Sequence, residues 1–485
     1  MSVLNLRQPK LLREHALVSG QWIEADNGKT MPVSNPATGE LVGTVADLGK
    51  VETIRAVEAA CKSWPDWRRR SAHERASILR RWHDLLVQHA DDLAAILTCE
   101  QGKPLREAKG EILYAASFVE WYAEEGKRVV GQAAPCPLPG KRTLVLRQPV
   151  GVSAAITPWN FPAAMITRKI APALAAGCPA IVKPSELTPL TALAIASLAE
   201  EAGVPASVLQ IVTGQPQEIG EVLTTHPDVR KFSFTGSTAV GRMLAARCAS
   251  TVKRVSLELG GHAPFIVFDD ADLDAAVQGA ISSKYRNNGQ TCICTNRFFI
   301  HEKVYDQFVA RLIPAIENLK VGAGWEEGVD LGPLINLSAV EKVERHIDDA
   351  RAKGAEILTG GTRHSRGGCF FQPTVLSGVD RDMLVSREET FGPVCPLIRF
   401  SDDEEVVRWA NDTQYGLAAY FFSRDVGRVW RVAEELEYGM VGVNTGLMIS
   451  EAAPFGGMKQ SGIGREGSSM GIEEYLEVQY VCIAV

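Results

Sequence analysis

The sequence predicts an α/β protein: a doubly wound, largely parallel sheet, a second α/β unit beside it, and a small β arm. Three observations carry that expectation. From residue 150 onward, apolar strand-like runs alternate with helical ones, a second alternation begins at residue 263, and two β-rich stretches lie outside both. Regular βαβ alternation calls for parallel strands covered on both faces.

In chain order, SNPATGE (34–40) is a turn-rich approach. VETIRAVEAACKSWPDW (51–67) and AHERASILRRWHDLLVQHADDLAAIL (72–97) place apolar residues at helical spacing, so 51–126 is expected to be helical. VVGQAAPCPLPGKRTLVLRQP (129–149) turns to Pro and Gly with short β-like runs, the pattern of a hairpin leaving its domain. VGVSAAIT (150–157), AIVKPS (180–185), VLQIVTG (208–214), KFSFTGS (231–237) and RVSLELGG (254–261) read as five strands. ITRKIAPALAAG (166–177) is the helix after the first. TPLTALAIASLAEEAG (188–203) follows the second, opened by Thr188 with Pro189 at its first position and closed by Gly203. The fourth strand runs directly into the helix STAVGRMLAARCA (237–249). The second alternation starts at APFIVF (263–268), continues through the helix DLDAAVQGAISSKYRN (272–287) and ends near residue 470. The β-branched, aromatic tail EEYLEVQYVCIAV (473–485) reads as a terminal strand, paired with 129–149 or with another subunit.

Composition narrows the function classes. A chain of 485 residues exceeds one hydrophobic core, and 46% apolar with 22% charged residues is globular rather than disordered. A net charge of −7 leaves no basic stripe for nucleic acid. No apolar run reaches the ~18–20 residues of a membrane span. The N-terminal MSVLNLRQPKLLREHALV has no signal-peptide core; it is basic and acid-free at its start, so a mitochondrial presequence stays open, with cytoplasm the default. Ten scattered cysteines read as thiols of a reducing compartment.

Four stretches carry chemistry. FTGSTAVGR (234–242) puts Gly236 at a strand end and Ser237 at the cap of the next helix, an anion site or an ordinary turn. Lys183 and Glu186 of AIVKPSE sit just past a strand, where open sheets bind ligands and where both groups can reach ribose hydroxyls; the alternative is a plain surface pair. Glu258 lies between an apolar strand and the pair Gly260–Gly261; it is either a buried general base with a raised pKa or a turn cap. Asn160 of ITPWNFP is flanked by Trp159, Phe161 and two prolines, fit for an oxyanion donor or for turn chemistry alone.

NNGQTCIC (287–294) holds Cys292 and Cys294 one residue apart. No second Cys or His pair completes a zinc site, so no metal is expected. A disulfide between positions i and i+2 strains its geometry. A reactive thiol remains, and a nucleophilic Cys with a carboxylate base and an oxyanion amide beside a dinucleotide site describes aldehyde oxidation through a thioester.

PWNFP, KPSE, FTGS, ELGG, GQTC, EETFGP and PFGG, in this order and spacing, closely resemble the NAD(P)-dependent aldehyde dehydrogenase superfamily over residues 15 to 483. GQTCICTNRFF, NDTQYGLAAYFFSRD, LEYGMVGVNTGL and GREGSSMGIEEYLEVQYVCI are similar to its succinate- and glutarate-semialdehyde dehydrogenases. The resemblance implies that Cys292 is the nucleophile, Glu258 the general base, and Asn160 the oxyanion donor with the Cys292 N–H. It implies a proton-relay role for Lys169. Glu389 and Phe391 hold the nicotinamide half, Trp159 walls it, Lys183 and Glu186 contact the adenosine ribose, and Ser237 contacts pyrophosphate. It also implies that Arg168 and Arg286, with Ser450 as a third contact, clasp the distal carboxylate of a semialdehyde; a guanidinium suits that task through two parallel hydrogen bonds.

The expected division is 1–128 with 150–258 as a dinucleotide-binding domain, 259–470 as a catalytic domain, and 129–149 with 471–485 as an arm joining a homo-oligomer, dimer or tetramer. Glu186 repels a 2′-phosphate, so NAD is the expected coenzyme, with Lys183 and Ser185 leaving NADP possible. His262 stands where the family usually has Asn. The rival readings are acyl transfer to coenzyme A or phosphate, an aldehyde dehydrogenase for neutral or cationic aldehydes, and a non-catalytic binding role.

Overall fold

A computed structural model describes residues 4–485; residues 1–3, the start of the N-terminal run read above, lie outside the described residues. Two large sheets, a three-stranded sheet and the two-stranded hairpin Thr30–Ser34 with Leu41–Ala46 organise the described residues. The first sheet has the strand order Gly462–Ile463, Arg254–Glu258, Val229–Thr235, Val152–Ile156, Ala180–Lys183, Leu209–Ile211, Ala16–Val18, Gln21–Ile23. Its five central strands are parallel, and its edges are antiparallel. The chain moves outward one way from Val152–Ile156, then returns to build Val229–Thr235 on the other side. The sheet therefore has a topological switch point between these two strands, the place where open α/β sheets hold ligands beyond their carboxyl ends.

Central strands are buried on both faces, so they read as continuous apolar runs. The four helices Lys50–Arg69, Ala72–Gln88, Ala90–Gln101 and Leu105–Glu125 occupy the region expected to be helical. The helix expected to begin at Thr188 and Pro189 runs over Leu190–Glu201, with Pro189 at the cap position. Its first N–H groups, those of Leu190 and Thr191, each donate at 2.8 Å to the Glu100 carboxylate, a cap supplied from a distant helix. The helix Pro216–Thr225 and the two N-terminal strands of this sheet were not anticipated.

The second sheet runs Glu356–Thr359, Thr374–Ser377, Val394–Phe400, Thr295–His301, Ala263–Val267, Ala418–Phe422, Met440–Val443, parallel except for its first pair. Here the helix expected over 272–287 stops at Lys284. Asn287, Asn288 and Gly289 follow with φ of 49°, 55° and 77°, a left-handed turn no helix can continue through. The third sheet joins Gln132–Ala134, Lys141–Pro149 and Leu476–Ala484. The terminal strand pairs with the hairpin from Leu476↔Pro149 to Ala484↔Lys141, which answers which of its two expected partners it takes within the chain.

Candidate active site

Two cavities meet at Cys292. One, of about 370 Å³, opens at the switch point of the first sheet, where Pro158, Trp159 and Asn160 leave one strand and Thr235, Gly236 and Ser237 end another. The other, of about 240 Å³, is a predominantly apolar tunnel containing Tyr114, Phe161, Met165 and Phe455, with Arg168 and Arg286 in its wall.

The left-handed turn at 287–289 delivers Cys292, and side-chain amides hold that turn. Asn287 Nδ2 donates to the Asn160 and Gln290 carbonyls at 3.0 and 3.2 Å, and Asn288 Nδ2 to the Gly332 carbonyl at 2.8 Å. Gly261 lets the strand exit after Glu258 press on the same loop, since a Cβ there would lie 2.3 Å from the Cys292 carbonyl oxygen. Burial pushes the Cys292 thiol up to about 12; the neighbouring Glu389 and Glu258 carboxylates add to this, and Arg168 and Arg286 oppose it. The thiol is therefore protonated unless further positive charge arrives.

Glu258 ends its strand buried, and neither carboxylate oxygen has a hydrogen-bond partner among the described residues. Burial, then the Glu466 charge, raises its pKa well above the usual range, against Arg168 and Lys169. Asn160 donates from Nδ2 to the Gln290 carbonyl at 3.0 Å, leaving its second N–H free, while its own carbonyl accepts from Lys103 Nζ at 2.8 Å. The Lys103–Glu111 pair behind it is fully buried at 2.6 Å, and Glu111 also accepts from the backbone N–H of Ala163 at 2.9 Å. Nothing in the sequence singled out that pair, which ties the Asn160 loop to the preceding helix.

The larger cavity also collects Glu389 and Phe391. Glu389 accepts the Gly261 N–H at 3.0 Å, and burial lifts its carboxyl to about 7. Phe391 stands edge-on to Trp159 with ring centres 5.5 Å apart. Ser237 caps the helix Thr238–Ala249, accepting from Val240 N. Gly236 admits no side chain, because a Cβ would meet the Phe234 ring at 2.4 Å. Lys183, Ser185 and Glu186 lie at the same carboxyl edge of the sheet, in line with Ile156, but outside this cavity's lining. Lys183 Nζ bonds Glu186 at 2.7 Å. Burial alone would push the Glu186 carboxyl up, but Lys183 outweighs it and holds it below its ordinary value. Ser185 Oγ accepts the Leu187 N–H. These residues fit a dinucleotide: an anion-receptive helix start, two carboxylates for ribose hydroxyls and an aromatic wall.

In the tunnel, the two arginines differ. Arg168 is buried, stacked 3.9 Å from the Phe455 ring centre and ion-paired with Glu466 at 2.8 Å; Lys169 closes on the other Glu466 oxygen. Arg286 lies over Phe161 and forms no ion pair among the described residues. Ser450 does not reach the tunnel. Its neighbour Ile449 supplies the lining, and the Ser450 hydroxyl accepts the Ala452 N–H at 3.2 Å in a local turn. His262 is buried with Nε2 3.3 Å from the Val385 carbonyl; burial and Arg297 hold its pKa well below the ordinary value, so it is neutral. Cys294 is buried, and its thiol donates to the Lys284 carbonyl at 3.3 Å.

A family profile described as "Aldehyde dehydrogenase family" matches residues 22–481. The chain is 59% identical to glutarate-semialdehyde dehydrogenase of Pseudomonas aeruginosa, covering 99% of each. It is 57% identical to the NADP(+) succinate-semialdehyde dehydrogenase of Escherichia coli, over 99% of this chain and 100% of that one. A crystal structure of succinate-semialdehyde dehydrogenase from Burkholderia pseudomallei superposes with a TM-score of 0.98 at 64% identity, over 99% and 100% of the two chains. With the profile spanning nearly all of the sequence, and relatives alike from end to end, the chain belongs to the aldehyde dehydrogenase family.

Proposed function

We propose that this enzyme oxidises a four- or five-carbon semialdehyde bearing a distal carboxylate, releasing the dicarboxylate. The observation that carries the reading is the position of Cys292, facing a tunnel with an unpaired arginine on one side and the switch-point cavity on the other. The charges of the tunnel support an anionic substrate. Lys103 pairs with Glu111, and the single Glu466 carboxylate is shared by Arg168 and Lys169. Arg286 forms no ion pair among the described residues, so it is the main anchor for the carboxylate and Arg168 a secondary one.

Chemistry follows from the residues in turn. When bound in the larger cavity, an oxidised nicotinamide coenzyme would supply a hydride acceptor and a positive charge. Cys292, once deprotonated, attacks the aldehyde carbon, forming a C–S bond and an oxyanion. The free Asn160 N–H and the Cys292 backbone N–H stabilise that oxyanion. Loss of hydride leaves a thioester on Cys292. Glu258, with both oxygens free, takes a proton from water, whose oxygen attacks the thioester carbon; the C–S bond breaks and the carboxylate leaves.

For the coenzyme, the reading favours NAD with residual NADP use. Glu186 is kept ionised by Lys183, which places a negative charge near the ribose and engages the lysine that a 2′-phosphate would need. The outward-facing strand Leu476–Ala484, with Val478, Tyr480 and Ile483 exposed, supports a homo-oligomer built through the arm. Steady-state kinetics on succinate and glutarate semialdehydes, against uncharged butanal and pentanal, test the substrate with each coenzyme. Equal kcat/KM for the charged and uncharged aldehydes overturns the anion reading.

A further inference from the structure

We propose that His346, which lines neither of the two cavities at Cys292, is a positioning residue that sets the coenzyme-facing side chains Glu389 and Phe391. The inference rests on reading the larger cavity as the coenzyme site. Glu389, Thr390 and Phe391 all border the cavity, while the Glu388 carboxylate and the Thr390 hydroxyl meet the helix Leu337–Ala352 at His346. That helix is itself a wall of the cavity through Ser338, Ala339 and Lys342. His346 thus joins the wall to the rear of the segment whose front holds the coenzyme.

The imidazole is completely buried, and both nitrogens are used. Nε2 lies 3.2 Å from Glu388 Oε2 and Nδ1 lies 3.2 Å from Thr390 Oγ1. An ionised carboxylate only accepts, so Nε2 carries the proton and Nδ1 accepts from the Thr390 hydroxyl. One ring therefore grips residues on both sides of Glu389 with opposite polarity. Burial and the adjacent Lys342 depress the histidine pKa to about 4, so this tautomer persists at neutral pH. The segment needs such a grip, because Phe391 holds φ at 58°, a strained conformation for an aromatic residue. Other fixings include the Gly261 N–H on Glu389, the Thr390 N–H on Asn296 Oδ1 at 3.0 Å and the Glu388 N–H on the Leu384 carbonyl at 2.8 Å.

Equilibrium titration with NADH and NADPH, read by fluorescence, tests this apart from turnover. His346→Leu should raise the coenzyme dissociation constant roughly 3- to 10-fold, the loss expected for one or two ordinary hydrogen bonds. The coenzyme KM should rise in parallel, while the aldehyde KM and the alkylation rate of Cys292 in coenzyme-free protein stay within twofold. His346→Gln, which keeps a donor for Glu388, should recover part of the loss. On a Thr390→Val background, His346→Leu should cost less than on the wild type, because they share one bond. Unchanged coenzyme binding in His346→Leu, or an equal rise in the aldehyde KM, overturns the proposal. If that variant does not fold, His346→Phe, which keeps a buried ring without either nitrogen, decides, and unchanged binding there overturns it. Failure of the wild type to bind either coenzyme sinks the reading of the cavity instead.

Discussion

Cys292 should be a slow nucleophile until the coenzyme arrives. Burial and two neighbouring carboxylates move its pKa from an ordinary 9.0 to about 12. At pH 7.5 a thiol of pKa 9 is about 3% ionised, and one of pKa 12 roughly 0.003%, so the thiolate population falls about a thousandfold. The side chain opens onto two cavities, and water in them moderates the push, so a thousandfold is the upper end. The assay is alkylation of coenzyme-free enzyme by iodoacetamide, quantified at Cys292 by peptide mass spectrometry, with N-acetylcysteine in the same tube. Cys292 should react at least about a hundred times more slowly than N-acetylcysteine at pH 7.5. Its rate should climb tenfold per pH unit from 7 to 10 without a plateau, and oxidised coenzyme should accelerate it. A rate matching N-acetylcysteine, or a plateau below pH 9, refutes this account of the site.

Glu258→Gln should keep a stoichiometric first burst of reduced coenzyme but slow turnover by about 100-fold or more; stopped-flow traces in which burst and turnover fall together contradict its role as base. Arg286→Leu should raise the KM for succinate semialdehyde by roughly 10- to 100-fold and leave that for butanal nearly unchanged. Glu186→Ser should shift the ratio of kcat/KM values toward NADP by about tenfold, the size of one partly screened repulsion, and an unmoved ratio places coenzyme choice elsewhere. His346 stays uncharged in the fold down to about pH 4, whereas the unfolded chain takes up its proton near pH 6.5. Its folded value is the lower one, so the wild type loses stability as pH falls from about 6.5 to 4. The Tm gap between wild type and His346→Asn should therefore narrow across that window; a gap constant from pH 7.5 to 5 contradicts it.

Local chemistry made the central residues legible. Glu258 and Gly236 mark strand ends by their own sequence, and their neighbours across the sheet were implied by the βαβ order. The hairpin at 129–149 showed itself by Pro and Gly. What the sequence hid were partners chosen over distance. Lys169 meets Glu466 from 297 positions away, and nothing near either residue announces the match. That pairing changes the reading of Arg168, whose charge is partly used inside the protein. Ser450 is not among the residues lining the tunnel while its neighbour Ile449 is, and no periodicity in that loop tells them apart. Helix ends erred for the same reason: Glu100 caps Leu190–Glu201 from another helix, and the halt at Lys284 comes from a left-handed turn held by distant carbonyls.

The two-residue strand Gly462–Ile463 pairs with Leu257 and Glu258 along the edge of the first sheet. During synthesis, every other strand of that sheet has been made at least some 200 residues earlier. Until the last segment emerges, the row of backbone groups at Leu257 and Glu258 lacks this partner, and the nascent chain presents a bare β-edge to its surroundings. Truncation near the C-terminus therefore strikes at the first sheet, and a chaperone waiting on this protein has that edge to cover.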